Sequence, residues 1–103
     1  MLKKQREEII CLKFSSLNPK HNKLFKELTI SKSDLIIDCS NITPKESVLT
    51  RLAEHQKKIN KCFVIVISPE MQKIFINDFN FVPTKKEAYD FVYFEQLQRD
   101  LGY

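Results

Sequence analysis

Polar side chains follow three apolar stretches of this sequence, and their hydroxyl, amide and carboxylate groups are suited to binding an anion. They lie in residues 15–18, 38–43 and 67–68. If the apolar stretches are parallel strands, these segments sit at the carboxyl ends of a sheet and lead into helix amino termini, where phosphoryl groups bind. The same side chains also cap helices, and capping alone accounts for most of them.

The residues required by the common catalytic motifs are missing. Gly102 is the only glycine, which excludes a P-loop, a dinucleotide fingerprint and a nucleophile elbow in standard form, because each needs glycine at tight turns. His21 and His55 are the only histidines, and neither stands in a metal-ligand pattern. The acidic residues are dispersed along the chain. We therefore expect no enzymatic activity, no metal and no cofactor.

The three cysteines are an odd number and are widely spaced. Cys11, Cys39 and Cys62 each lie in or beside an apolar, strand-like run, and no CxxC pair is present. This pattern favours small reduced core residues over a metal or redox site.

The chain of 103 residues carries a net charge of +4, with a pI near 9.0. A net positive charge is compatible with nucleic-acid binding, but the lysines are spread along the chain. There is no arginine cluster and no aromatic–basic RNA-binding signature. The composition therefore does not favour a nucleic-acid partner.

The longest uninterrupted apolar run, residues 63–67, is far too short to cross a bilayer. The amino terminus lacks the long apolar segment of a secretory signal. We expect a cytoplasmic protein that does not contact the membrane.

Prolines and capping residues predict four helices. Asn18, Thr43 and Ser68 each precede a proline, the pattern of an N-cap followed by the first helical position. Thr43 and Thr84 are also each followed three residues later by glutamate, as in a capping box. The predicted helices are 19–29, 44–60, 69–78 and 84 onward.

Apolar runs predict four strands, at residues 8–14, 34–39, 62–67 and 80–83. The second and third runs are continuously apolar, as expected of central strands covered on both faces. Pro83 places the fourth at an edge or strand end. The order βαβαβαβα predicts one α/β domain over residues 1–103, with a four-stranded, mainly parallel or mixed sheet and about four helices.

Residues 34–43, DLIIDCSNIT, resemble the strand-and-loop signature of STAS domains, the anti-anti-sigma-factor family. The order of elements over residues 34–103 is similar to that family, and residues 81–88 resemble its closing strand and helix start. The resemblance implies a STAS-like fold and a bacterial regulatory protein that acts by binding another protein.

The resemblance does not extend to the family's phosphoacceptor. Aligning residues 41–43 on the family pattern puts Glu46 at its aspartate and Ser47 at its first serine. Val48 then stands at the phosphoacceptor serine and Leu49 at the glycine. Phosphorylation at the family position is therefore not expected.

The tail, residues 96–103, is similar to the ends of small bacterial STAS-like proteins, some of which carry the name ribonuclease Z. This chain has no HxHxDH motif, so it cannot perform that zinc chemistry itself. An accessory protein associated with RNA processing, or one that binds nucleic acid through its basic surface, is the alternative function.

The last predicted helix carries apolar residues on two faces. At 100° per residue, Ala88, Tyr89 and Val92 fall on one side, whereas Phe91, Phe94 and Leu101 fall nearly opposite. We expect Ala88, Tyr89, Val92 and Tyr93 to face the sheet. The second face is then either covered by neighbouring segments or bound by a partner, including a second copy of the chain.

Together these patterns favour a regulatory or adaptor domain that binds a protein partner and catalyses nothing, with a homodimer through the last helix as one form of that contact. The candidate partner surface consists of Asp38, Ser40, Asn41, Thr43, Glu46, Ser47, Phe91, Phe94 and Leu101.

Overall fold

Strands and helices alternate along the chain, as the sequence predicts. The computed structural model describes residues 8–17, 23–30, 32–40 and 42–102. Its elements in chain order are β1 (Ile9–Lys13), a 3-10 turn (Phe14–Ser16), α1 (Lys23–Ile30), β2 (Asp34–Asp38), α2 (Glu46–Lys58), β3 (Phe63–Val66), α3 (Pro69–Gln72), β4 (Phe81–Val82) and α4 (Lys85–Asp100). The predicted α/β class is confirmed.

The four strands form one sheet in the order β1-β2-β3-β4, and every neighbouring pair is parallel. The two central strands, β2 and β3, are buried along their whole length. Their continuous apolar runs predicted this position, because a parallel central strand is covered on both faces. The short β4 forms the edge next to Pro83.

The two faces of the sheet carry unequal layers. Side chains of α1, α2 and α3 pack on one face around Leu49, Leu52 and Ile65, whereas α4 is the one described helix on the other, where it packs around Ile36 and Val64. The strand order explains this division. When it follows the chain order, right-handed crossovers place every connecting helix on the same face, and only the helix after the last strand is left for the other.

Two of the predicted helix starts are confirmed with their caps. The Ser68 hydroxyl accepts a hydrogen bond from Met71 N at 3.4 Å, and Pro69 occupies the first turn of α3. The Thr84 hydroxyl accepts one from Glu87 N at 3.2 Å and donates one to the Glu87 carboxylate at 3.1 Å. The predicted start at Asn18 and Pro19 lies outside the described residues, as do the side chains of Leu24 and Phe25.

The predicted start of α2 at Thr43 is wrong. The helix begins at Glu46, its N-cap is Lys45, and no side chain caps it. The capping box fails because the Glu46 carboxylate is bound elsewhere. It accepts hydrogen bonds from the backbone N–H groups of Ile76 and Asn77, at 3.4 and 2.8 Å.

The predicted helix over residues 69–78 is also too long, since α3 ends at Gln72. The same carboxylate explains this early end, because the amides of Ile76 and Asn77 bind Glu46 instead of helical carbonyls. The chain beyond α3 still contributes to the core. Phe75 and Phe79 pack against each other and against the α2 side of the sheet, with ring centroids 6.3 Å apart.

The two threonines provide a test of these helix starts. Replacing the Thr84 cap by alanine is expected to lower the free energy of unfolding by about 1 kcal/mol. The matched change Thr43→Ala removes an exposed side chain that caps nothing, so it is expected to cost less than about 0.5 kcal/mol. Urea denaturation of both variants measures the difference, and equal losses would show that Thr43 does cap α2.

Candidate functional site

The carboxyl end of β2 brings together part of the predicted surface. Asp38 ends the strand and is buried, with one carboxylate oxygen accepting a hydrogen bond from Ser40 N at 2.9 Å. Its other oxygen lies 3.7 Å from the Lys85 ammonium at the start of α4. Ser40, Thr43 and Ser47 are exposed around it, while Asn41 lies outside the described residues.

The surroundings of Asp38 keep its carboxylate ionised. Burial on its own would raise the pKa of Asp38, but the hydrogen bonds from Ser40 and the charges of Lys85 and Lys13 outweigh it. The net pKa therefore lies below the ordinary value. This makes Asp38 a poor proton donor at neutral pH and an anchor for the loop and for α4.

Glu46 joins this end of the sheet to the segment after α3. Besides the two backbone amides, its carboxylate accepts a hydrogen bond from the Asn77 side chain at 2.8 Å, and that side chain also contacts the Thr50 hydroxyl at 3.3 Å. Asp38 and Glu46 are the two acidic residues of the predicted partner surface. Both carboxylates are thus bound to other groups of the protein. Among the residues that the structure describes, no group of three His, Cys, Asp or Glu side chains could hold a metal ion.

The three cysteines are free thiols. Burial raises the pKa of Cys39 to about 12, with the Asp38 carboxylate adding to the effect. Burial likewise raises the pKa of Cys62 to about 12, and the acids Asp34 and Glu95 raise it further. Because the thiolate is the nucleophile and the metal ligand, both side chains behave as small apolar residues at neutral pH.

The outward face of α4, continued by its C-cap Leu101, carries a group of large exposed apolar side chains. Phe94, Leu97 and Leu101 are 59%, 54% and 63% exposed, and we call these three residues the outer ridge. They lie opposite Ala88 and Val92, which are fully buried against the sheet. The predicted outward positions of Phe94 and Leu101 thus agree with the structure.

Two other predictions for α4 fail. Phe91 does not face away from the sheet but is half-buried against the cluster beneath α4, because it lies at the side of the helix and not opposite the sheet. Tyr93, expected to face inward, is 38% exposed and flanks the outer ridge. The side chain that faces inward in this part of the helix is not Tyr93 but Gln96, about one turn later, which is buried.

A buried polar network holds the inner face of α4 at the amino ends of β2 and β3. The Asp34 carboxylate is fully buried and accepts hydrogen bonds from Arg99 Nη2 and Nη1, at 2.8 and 3.1 Å. It also accepts hydrogen bonds from the Gln96 amide at 2.8 Å and from Cys62 N at 2.7 Å. Four donors thus converge on one carboxylate, which is the arrangement that a buried charge requires.

The network extends to the end of α2. The Gln56 side-chain amide donates to the carbonyls of Ser33 and Cys62, at 2.8 and 2.9 Å. Arg99 also donates to the carbonyl of Asn60 at 3.2 Å. Asn60 adopts a left-handed conformation, with φ at 60°, where it ends the helix. Helices on both sides of the sheet are therefore tied to the same buried polar groups.

This network determines which face of α4 is turned inward. The fully inward positions of α4 are Ala88 and Val92 and the polar Gln96 and Arg99, with Tyr89 and Phe91 packing at their sides. The outer ridge lies on the opposite side of the helix. Because Gln96 and Arg99 donate three of the four hydrogen bonds to Asp34, the polar contacts hold the helix with this ridge in solvent.

Sequence reasoning did not identify Asp34, Gln96 or Arg99 as a unit. A usable signal was present, since Ala88, Val92, Gln96 and Arg99 follow one another at helical spacing on one face. Reading the apolar positions alone ends that face at Val92 and leaves the polar continuation unnoticed.

A cavity of about 490 Å³ opens beside the network at the amino ends of the strands. Phe63, Phe79 and Phe91 form part of its wall, and the charges at its rim are of both signs, including Lys57 and Asp78. At its edge the Gln56 amide and the terminal nitrogens of Arg99 are bound to protein atoms, and Arg99 Nε is the one buried side-chain atom of the described residues without a hydrogen-bond partner. The cavity therefore selects no particular class of ligand.

No family model, curated protein or solved structure matches this chain. The resemblance to STAS domains therefore stays a prediction that rests on residues 34–43 and on the order of the elements. In the described part of the chain, no helix has the length and apolar character needed to span a membrane.

The Asp34 network predicts how stability depends on pH. Burial would raise the pKa of Asp34, but its bonds from Arg99, Gln96 and Cys62 N bring the net pKa below the ordinary value of 3.8. Because the pKa of Asp34 is lower in the folded state than in the unfolded state, its ionised carboxylate stabilises the fold. This stabilisation is complete above the unfolded-state pKa and is lost as the pH falls through the folded-state pKa.

We therefore expect Asp34→Asn to lower the free energy of unfolding by about 3 kcal/mol at pH 7, because it leaves the Arg99 guanidinium, which is only 21% exposed, beside a neutral group. The loss should shrink as the pH is lowered below about 4. Asp38→Asn is the control, because Asp38 is also a buried carboxylate but contacts α4 through one ion pair of 3.7 Å, with Lys85. Urea denaturation from pH 7 to pH 2 tests this, and a loss for Asp34→Asn that is independent of pH would contradict it.

Thiol labelling tests the assignment of the cysteines as unreactive. At pH 8, iodoacetamide is expected to alkylate native Cys39 and Cys62 at least about a hundred-fold more slowly than the same residues in denaturant, because little thiolate is present. Peptide mass spectrometry resolves the individual sites. Rapid alkylation of native Cys39 would instead show an available nucleophile beside Asp38.

Proposed function

We propose that this chain is a non-catalytic adaptor or regulatory domain that binds another protein through the outer ridge of α4. The observation that carries the proposal is the ridge itself, a line of large apolar side chains left in solvent on a helix whose inner face is fixed. Together with Tyr93, which is 38% exposed, the three ridge side chains form one exposed apolar patch. Contiguous patches of this kind are often functional on monomeric proteins, whereas apolar side chains exposed singly are ordinary.

Contacts at both ends of α4 support this role. Arg99 binds Asp34 at one end of the helix, and Lys85 lies near Asp38 at the other. The ridge is therefore displayed by a helix anchored at both ends of β2. Ordering costs reduce affinity when a mobile segment binds, so a prearranged surface is favoured as a binding element.

The residues at the carboxyl end of β2 are a weaker candidate surface. Asp38 and Glu46 are bound by other groups of the protein, which leaves Ser40, Thr43 and Ser47 as the exposed members of the predicted surface in this region. The resemblance of residues 34–43 to STAS domains supports a regulatory role for the chain as a whole. The RNA-processing alternative has no comparable structural feature among the described residues.

The variant Phe94→Glu tests whether the outer ridge is a binding interface or part of the core. The side chain is mostly exposed, so the free energy of unfolding is expected to change by less than about 0.5 kcal/mol. Retention of a partner from native-host extract on the immobilised chain is expected to be lost, because a charge replaces a central apolar contact.

Ile30→Glu is the matched control, since Ile30 is 79% exposed at the end of α1 and receives the same change. It should retain the partner at the wild-type level. Global unfolding of the Phe94→Glu chain would show that the ridge belongs to the core, and undiminished retention would refute the proposal.

A further inference from the structure

The two edges of the sheet differ in how well they are protected against pairing with another strand. At one edge, β4 has only two residues and is followed directly by Pro83, and both features oppose the addition of a strand. At the other edge, β1 pairs with β2 over five consecutive residues without a bulge. Its only charged residue is Lys13, at its end, and it contains no proline. Of the two edges, β1 is therefore the one that can accept a further strand.

The backbone of β1 presents hydrogen-bonding groups on its outer side. Asp34 N donates to the carbonyl of Glu8 at 3.1 Å, which identifies the side of the strand that faces β2. Because the N–H and C=O groups of successive residues point to opposite sides of a strand, those of Ile9, Cys11 and Lys13 point away from β2. In the described part of the chain, no strand pairs with this outer side. These are the groups that a strand added to the edge would bind.

The side chains of β1 are apolar on both faces of the sheet. Ile10 and Leu12 pack against the core cluster beneath α2, whereas Ile9 and Cys11 pack against the cluster beneath α4. All four are only partly buried. A strand that covers them must itself carry apolar side chains on both of its faces. Because β1 meets this requirement, the edge is complementary to itself.

A two-fold axis gives this self-pairing a defined register. An axis perpendicular to the sheet beside Cys11 makes two copies of β1 antiparallel neighbours and keeps like faces of the two sheets on the same side. The outward groups of Cys11 then bind those of Cys11 in the second copy, and the outward groups of Ile9 bind those of Lys13. About six hydrogen bonds join the copies in this register. On the α2 side, Ile10 lies opposite Leu12 of the second copy, so apolar side chains meet across the axis.

We propose that this chain forms a homodimer through β1, in which two four-stranded sheets join into one sheet of eight strands. The contact uses no residue of the outer ridge, which points away from the sheet and stays exposed in the dimer. The dimer is therefore independent of the proposed function, and either can fail without the other.

Sedimentation over a concentration series, with two variants of one residue, tests the dimer. Cys11→Pro removes an N–H that points outward and leaves the bonds to β2 in place, which is a position where a sheet tolerates proline. We expect the wild-type chain to dimerise, and Cys11→Pro to raise the dissociation constant at least about tenfold because the central pair of hydrogen bonds is lost. Cys11→Ala is the matched control. It shortens the same side chain but keeps the N–H, so its dissociation constant should stay within about threefold of the wild-type value.

Amide hydrogen exchange of the wild-type chain provides a measurement that depends on no variant. In the dimer, the amides of Ile9, Cys11 and Lys13 should be as well protected as those of Ile10 and Leu12, which face β2. Dilution below the dissociation constant should remove the protection of the three outward amides alone. If Cys11→Pro does not fold, this alternation decides between dimer and monomer.

Three results would overturn the inference. The first is a wild-type chain that sediments as a monomer at every concentration up to about 1 mM. The second is protection of the outward amides in the monomer, because the chain itself would then cover the edge. The third is a dimer that survives in folded Cys11→Pro but is dissociated by Phe94→Glu, which would place the contact on the outer ridge.

Discussion

The ion pair between Asp34 and Arg99 is the interaction on which the rest of the arrangement depends. A fully buried carboxylate is costly unless it is paired and hydrogen-bonded, and replacing such a pair by apolar groups of similar volume is often neutral or stabilising. Its contribution here is better understood as specificity. The pair, with Gln96, binds one side of α4 to the sheet, and the outer ridge on the opposite side lies in solvent.

The topology explains why this selection is needed. Because strand order follows chain order, three helices cover one face of the sheet and, among the residues that the structure describes, α4 alone covers the other. A helix packed between two layers would bury both of its apolar sides. In this part of the chain α4 packs on the sheet with one side, which the buried network binds, and the outer ridge on its other side is exposed.

Local patterns predicted the features of this fold that local physics controls. Continuous apolar runs located the central strands, and the serine and threonine before α3 and α4 located those helix starts. The two wrong boundaries, at Thr43 and after Gln72, share a cause that is not local, since Glu46 binds amides about thirty residues away. The candidate site likewise contains one feature that local patterns predict and one that they do not. Helical spacing revealed the outer ridge, whereas the contacts of Asp34 with Gln96 and Arg99 span 62 and 65 residues and depend on the assembled fold.

Fluorescence quenching tests the control of helix orientation most directly. The chain contains no tryptophan, so Phe94→Trp introduces a single indole on the outer ridge. In the otherwise native chain, acrylamide should quench it as efficiently as an exposed indole. In the Asp34→Leu/Arg99→Met background, where apolar groups replace the ion pair, we predict that quenching falls because α4 is no longer held by polar contacts and turns the outer ridge toward the sheet. Unchanged quenching in a double variant that still unfolds cooperatively would contradict the claim that the buried pair fixes the orientation of α4.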